Sequence, residues 1–360
     1  MRILIAPDKF KGSLSAREVA ENIALGLRDV LPEAKIDIVP VADGGEGTAE
    51  VICHALGGSW VECEGHDPRG REIEARYAWI GERRLAVMEM SEASGMWRVQ
   101  GDKYDVDLAN TFGVGEMILH AANNGAREII IGLGGSATSD GGFGMARALG
   151  FRFCENATEL NGRVSELVGL TRIEKPTDLL LPKIIAAVDV KNPLLGANGA
   201  TRIFGPQKGV TPDKVDMFER ALTKLANIAA RDLAVDVREE AGAGAAGGLG
   251  FGLLSFCGAT IQPGFEVVAE AAGLEEKIKK VDLVITGEGS LDRQTLEGKA
   301  PAGVARLARK FGKRVFAIVG RASEDRQVRE IFDGVYELGG SISQAAQLLQ
   351  EKAAELAGRL

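Results

Sequence analysis

The stretch Arg2-Ile-Leu-Ile-Ala-Pro-Asp-Lys-Phe-Lys-Gly-Ser-Leu-Ser-Ala-Arg-Glu18 decides the fold. An apolar run, Arg2–Ala6, breaks at a Pro-Asp turn, and Ser15-Ala-Arg-Glu18 then fits a capping box opening a helix through Leu31. Val19, Ile23, Leu27 and Val30 repeat at helical spacing. Lys35–Val41 alternates as a strand. Asp43-Gly-Gly-Glu-Gly-Thr48 leads into a second helix that ends at Gly57-Gly58. Strand, helix, strand, loop, helix is the opening of an α/β fold with a largely parallel sheet.

Farther along, Val61–Glu64, Ile73–Ile80 and Leu85–Met90 read as consecutive antiparallel strands, with turns at Asp67-Pro-Arg-Gly70 and Gly81-Glu-Arg83. Helices are expected over Gly113–Asn123, Pro212–Leu233, Ala302–Phe311 and Gln344–Gly358. Strands are expected at Glu128–Ile131, Ile184–Val188, Val281–Ile285 and Arg314–Val319. Both ends of the chain are regular β/α, and the middle is rich in glycine. The layout this favours is a discontinuous α/β domain, 1–70 plus 280–360, with an inserted α/β domain at 71–279.

The chain has 360 residues, 45% of them hydrophobic, which is enough to bury two cores. Aromatic residues make up only 5%, the net charge is -8, and there is no basic run, so nucleic acid is not an expected partner. Cys53, Cys63, Cys154 and Cys257 contain no CxxC pair and read as reduced, inert thiols. With only His54, His66 and His120 beside them, they offer no zinc spacing. No apolar run reaches membrane-spanning length and the N-terminus reads as a strand, so a cytoplasmic protein, monomeric or a small homo-oligomer, is expected.

Five strand ends carry polar clusters: Pro7–Ser13, Asp43–Thr48, Gly132–Gly142, Asp189-Val-Lys-Asn-Pro-Leu194 and Thr286-Gly-Glu-Gly-Ser-Leu-Asp292. Each alone reads equally as a turn with a helix cap. Together they indicate a shared cleft, because ligands bind at strand C-termini in open α/β sheets. The richest is Gly132-Leu-Gly-Gly-Ser-Ala-Thr-Ser-Asp-Gly-Gly142, whose glycines permit close backbone approach and whose position before a helix suits an anion. Lys9 and Lys11 suit a phosphate or a carboxylate as point charges. Asp189 ends an apolar strand before Asn192-Pro193 and reads as a base, a metal ligand or a turn initiator. Such a set fits phosphoryl transfer, which is mostly positioning and charge neutralisation. There is no Walker A match; Gly298-Lys299-Ala300 lacks both the preceding glycine and the following hydroxyl. Gly242-Ala-Gly-Ala-Ala-Gly247 matches GxGxxG literally, which leaves a dinucleotide-dependent dehydrogenase as an alternative, although the segment before it, Leu233–Glu240, is charged.

Eight blocks in order then resemble a bacterial glycerate kinase of the first type, the glycerate 2-kinase group. They are Ile5–Ala16, Val41–Thr48, Met88–Gly95, Ile131–Gly142, Asp189–Leu194, Phe204-Gly-Pro-Gln-Lys-Gly209, Gly242–Gly250 and Ile285–Pro301. The resemblance implies ATP-dependent phosphorylation of D-glycerate by two α/β domains, one of them flavodoxin-like with a mostly parallel sheet, and an active site in the cleft between them. Ser139 stands where the family usually has Asn, Ser290-Leu291 where it has Arg-Ile, and the segment after Val319 is shorter than usual. Under this reading Asp189 is the base, with Asp43 as second choice. Lys9 and Lys11 neutralise the substrate carboxylate or the transferring phosphoryl. Gly134, Gly135, Ser136, Thr138, Gly244, Gly247, Gly248 and Lys299 hold ATP, and Asp140, Glu288 and Asp292 are the candidates for Mg²⁺. A non-catalytic small-molecule sensor reusing the same cleft is the remaining alternative; no signalling appendage is seen in the sequence.

Overall fold

The computed structural model describes residues 1–99, 104–296 and 298–360. The chain divides into two compact units, Met1–Leu56 with Pro263–Leu360, and Gly57–Gln262. The sequence boundaries at 70/71 and 279/280 therefore move. Strand Ser59–His66 pairs along its whole length with Glu72–Ile80, which commits it to the second unit. Helices Gly264–Ala271 and Leu274–Lys279 pack on helix Ala300–Lys310, which commits them to the first.

The first unit holds a five-stranded sheet in the order Lys35–Ile38, Arg2–Ile5, Leu283–Thr286, Arg314–Val319, Gly334–Glu337, with every pairing parallel. Counted within this unit the order is 2-1-3-4-5, the flavodoxin-like arrangement. Ile3, Ile5, Leu283, Ile285, Phe316 and Ile318 alternate onto one face. There they form a core with Val19, Ile23 and Leu27 of helix Ala16–Val30 and with Leu349, Ala353 and Leu356 of helix Ala345–Ala357. The period of two in the strands and of 3.6 in the helices thus meet on one surface. The capping box is formed: Glu18 N–H donates to Ser15 Oγ at 3.3 Å, and Ser15 N–H donates to Glu18 Oε2 at 2.8 Å. The two helices lie so close that a Cβ on Gly26 would sit 2.0 Å from the carbonyl oxygen of Gln350.

The second unit is built on a six-stranded sheet in the order Thr260–Pro263, Lys183–Val188, Glu128–Gly132, Leu85–Glu89, Glu72–Ile80, Ser59–His66. The three strands from Lys183–Val188 to Leu85–Glu89 are parallel. The last three form the antiparallel series read from the sequence. In the core, Phe143 of helix Phe143–Ala148 and Phe256 of helix Ala245–Cys257 each meet Phe153 edge to face, and Phe251 meets Phe256 in the same way. A small antiparallel sheet of Arg152–Glu155, Thr158–Glu159 and Arg172–Glu174 was not foreseen, because its strands are too short to show a period.

Helix Val215–Asp232 realises the long amphipathic segment. The strand expected over Lys35–Val41 stops at Ile38, although Val39 N–H and Val41 N–H still donate to the carbonyls of Ile5 and Pro7. All four cysteines are free thiols, and burial pushes Cys63 up to about 11 and Cys257 up to about 12. Among the described residues, no helix is long and apolar enough to cross a membrane.

The Gly26 contact makes the first prediction. Gly26→Val forces two helix backbones apart and lowers unfolding free energy by about 1–3 kcal/mol. Leu25→Val, at an exposed neighbour on the same helix, changes it by no more than about 0.5 kcal/mol. Urea unfolding of the two variants checks this, and equal midpoints would refute the contact as a constraint.

Candidate active site

In the first unit the strand order reverses between Arg2–Ile5 and Leu283–Thr286, and a crevice opens beyond the carboxyl ends of such neighbours. The two chain exits stay zipped together past the strands. Ala6 N–H donates to Ile285 O at 2.7 Å and Asp8 N–H to Gly287 O at 2.8 Å. Gly287 is required at this exit, since a Cβ there would lie 2.2 Å from Ile318 O. The zipper brings Asp8 and Glu288 to the same edge, and both are buried. Burial, then the charge of Asp43, pushes the Asp8 carboxyl well above its ordinary range. Burial likewise pushes Glu288 up to about 7, against the Thr295 hydroxyl and the Lys299 ammonium, which favour the anion.

The partners are well placed. Thr295 Oγ1 donates to Glu288 Oε1 at 2.6 Å. Lys299 Nζ lies 3.7 Å from Glu288 Oε2 and 3.9 Å from Asp292 Oδ1. Lys9 Nζ donates to the Glu46 carbonyl and sits 3.5 Å from Glu46 Oε2, at the tip of the Asp43–Thr48 loop. Asp43 Oδ1 accepts from Gly45 N–H at 3.1 Å, which folds that loop back on itself. Lys11 is exposed. The expected residues Lys9, Asp43, Glu288, Asp292 and Lys299 are thus gathered on one edge. Asp8 and Thr295 join them unassigned by sequence; the signal was the carboxylate at the first strand end, which only the pairing with residue 287 singles out.

In the second unit, the parallel strands Leu85–Glu89, Glu128–Gly132 and Lys183–Val188 end side by side at Glu89, Gly132 and Asp189. Asp189 is exposed there. The segment after Glu89 straps the glycine loop: Met96 N–H donates to Gly135 O at 2.8 Å and Ala137 N–H to Ser94 O at 2.9 Å. Only Gly134 and Gly135 of the loop reach the surface; Ser136, Thr138, Ser139 and Asp140 are buried. Gly135 has φ +70°, a left-handed conformation that favours glycine.

Behind the loop lies Lys208, 3% exposed, which sequence reasoning did not assign. Its Nζ donates to Thr138 O at 2.6 Å and Ser136 Oγ at 3.3 Å. Burial lowers this ammonium to about 7, with the Asp140 charge opposing. Ser136 Oγ in turn donates to Ala246 O at 3.2 Å. Ser136 and Thr138, expected to hold a nucleotide, therefore turn their hydroxyls into the protein, and the exposed glycines are what remains for a ligand.

Two further expectations change. Asp140 was a metal candidate. Its Oδ2 accepts from Thr111 N–H at 2.9 Å, Thr111 Oγ1 at 2.8 Å and Gly144 N–H at 2.9 Å, and its Oδ1 accepts from Gly142 N–H at 3.2 Å. Both oxygens are engaged in the interior, so this carboxylate ties together the starts of helices Phe112–Asn123 and Phe143–Ala148. Gly244, Gly247 and Gly248 were nucleotide candidates. A Cβ on Gly247 would stand 2.0 Å from Thr138 O, on Gly244 2.2 Å from Pro193 O, and on Gly248 2.8 Å from Gly141 Cα. These glycines let one backbone lie against another. The literal GxGxxG at Gly242–Gly247 follows no strand, and Ala246–Gly248 adopt left-handed angles inside helix Ala245–Cys257. Neither feature suits a dinucleotide turn.

Among the described residues no group of three or more His, Cys, Asp or Glu side chains could hold a metal ion. Mg²⁺ with a nucleotide needs no such cage, since one or two carboxylates plus phosphate oxygens suffice.

The raised value of Glu288 carries a pH prediction. Its protonated form stabilises the ligand-free fold fully below its unfolded value of 4.5, and that contribution is lost as pH rises through about 7. Glu288→Gln keeps the hydrogen-bonding shape without the charge. Relative to wild type it gains stability between pH ~5 and ~8, by on the order of 3 kcal/mol at most. Thermal melts across that range check it; a constant offset between the two proteins would refute it.

The glycerate kinase family model matches residues 3–359. Glycerate 2-kinase of Escherichia coli (strain K12) is 44% identical over 329 residues, covering 90% of this chain and 86% of that protein. Glycerate kinase of Bacillus subtilis (strain 168) is 40% identical over 373 residues, covering 100% of this chain and 98% of that protein. A crystal structure assigned to glycerate kinase 2 from Salmonella typhimurium LT2 superposes with a TM-score of 0.88 at 40% identity, covering 100% of this chain and 98% of that one. On sequence and fold together, this chain belongs to the glycerate kinase family, a family of kinase enzymes.

Proposed function

We propose that this kinase transfers the γ-phosphoryl of ATP to the 2-hydroxyl of D-glycerate and releases 2-phosphoglycerate. Glycerate and ATP follow from the family. The 2-position is supported by the name of the Escherichia coli relative, a glycerate 2-kinase. The observation that carries the chemistry is the clustering of Asp8, Asp43 and Glu288 with Lys9 and Lys299 at the strand-order reversal. Two cations offer charge for a carboxylate or a phosphoryl group, and several carboxylates offer acceptors for a hydroxyl proton.

In this reading Lys9 and Lys11 neutralise the glycerate carboxylate or the transferring phosphoryl. Asp189 takes the proton of the attacking hydroxyl, with Asp43 next in line. The Gly134–Gly135 amides hold ATP phosphates, which suits a surface that offers backbone donors and few side-chain hydroxyls. Lys299 balances Glu288 and Asp292 until a phosphate competes for its charge. The donor set also fits Mg²⁺. Asp8 and Glu288 are hard oxygen ligands raised by burial and by neighbouring carboxylates, a condition that a divalent cation relieves, and Asp292 stands beside them. When bound, Mg²⁺ would supply charge neutralisation at the phosphates.

Phosphorus NMR of the product formed from ATP and D-glycerate tests the regiochemistry; 2-phosphoglycerate is expected, and 3-phosphoglycerate overturns it. Asp189→Asn is expected to lower kcat by about 10²- to 10⁴-fold with KM little changed. A near-wild-type kcat removes Asp189 from the role and moves it to Asp43, for which Asp43→Asn under the same assay is the check.

A further inference from the structure

We propose that Lys208 is the positioning residue of the Gly134–Gly135 anion loop: from behind, its ammonium fixes the course of the loop and lends a positive charge to the phosphate chain in front. The proposal rests on the reading that this loop holds nucleotide phosphates.

Three observations carry it. Two of the ammonium's three protons go to the loop itself, to Thr138 O at 2.6 Å and Ser136 Oγ at 3.3 Å. The backbone on either side is tied in as well, since Tyr104 Oη donates to Lys208 O at 2.8 Å and lies 3.4 Å from Ala137 O. Residues 136–138 and 208 are therefore one hydrogen-bonded unit, and Gly135 enters it directly. Finally, the charge is costly where it stands. Lys208 is 3% exposed, and a buried cation gives a fold no more than an apolar side chain of the same volume would. Asp140, the anion that influences it, already accepts four hydrogen bonds from other groups. A lysine held under such terms gains its full charge when an anion arrives, since an opposite charge favours the ammonium. Ser136 follows Gly135 directly, so the ammonium that bonds its hydroxyl stands one residue behind the glycine amides. With Ser136, Thr138 and Lys208 buried, attraction between that ammonium and a phosphate is screened less than one between two exposed charges.

Substitution separates positioning from simple structural support. Lys208→Gln keeps a donor for Thr138 O and removes the charge; Lys208→Met keeps only the stem. Each folded variant is titrated calorimetrically with the non-hydrolysable nucleotide AMP-PNP and, separately, with D-glycerate, and its KM and kcat are measured. Nucleotide Kd and the KM for ATP are expected to rise by about tenfold or more in both variants, with D-glycerate Kd within about twofold of wild type. Unchanged nucleotide Kd overturns the proposal. So does a loss confined to D-glycerate, and so does failure of both variants to fold, since Lys208 would then be structural only.

Gly135→Asp, with Gly135→Asn as neutral control, tests the loop independently. Both residues tolerate left-handed angles, but the aspartate repels phosphate. If Gly135→Asp leaves nucleotide Kd unchanged, the loop reading fails. If it weakens binding while the Lys208 variants do not, only the Lys208 assignment fails.

Discussion

The parallel pairing of Arg2–Ile5 with Leu283–Thr286 is the constraint on which the first unit depends. Residues 280 positions apart are joined by main-chain hydrogen bonds, and the junction is sealed at both ends. Arg2 N–H donates to Asp282 Oδ2 at 2.7 Å, and Thr286 Oγ1 donates to Ala6 O at 2.7 Å. Closing so long a loop costs entropy that grows only slowly with length. Two largely apolar strands, buried except at Arg2 and held from one face by helices Ala16–Val30 and Ala345–Ala357, can offset it. The same pairing creates the reversal of strand order, and with it the edge where Asp8 and Glu288 meet.

That edge is electrostatically unusual for a physical reason. Burial favours the neutral carboxyl, and each neighbouring carboxylate adds to the effect. Thr295 and Lys299 work in the opposite direction on Glu288. A group poised near neutrality by such opposing influences responds strongly to an incoming charge, which is what a site for phosphates and a carboxylate substrate has to do.

The second unit solves a different problem, the close stacking of two glycine-rich segments. Gly141 N–H donates to Gly247 O at 3.0 Å, and a Cβ on Gly252 would stand 2.7 Å from Gly142 Cα. Most glycines in these segments are spent on backbone contact. Their abundance, taken alone, overstates how many face a ligand, and the surface they support narrows to Gly134 and Gly135.

The elements and the chemistry on offer are legible in local sequence. Period-two and period-3.6 patterns placed most central strands and long helices, Ser15–Glu18 announced its capping box, and the strand ends advertised Lys9, Asp43, Glu288 and Asp189, because hydrophobic period and capping are local properties. Which polar groups are usable depends on the packed fold. Asp140 looks like a ligand in a string of residues, yet four donors enclose it. Lys208 looks like a surface lysine, yet it lies buried behind a loop some seventy residues earlier. Asp8 gains its raised carboxyl from burial first and then from the charges of Asp43 and Glu288, the latter brought to its side by a strand pairing across the chain. Burial and charge coupling are set by neighbours in space, and no local pattern carries them.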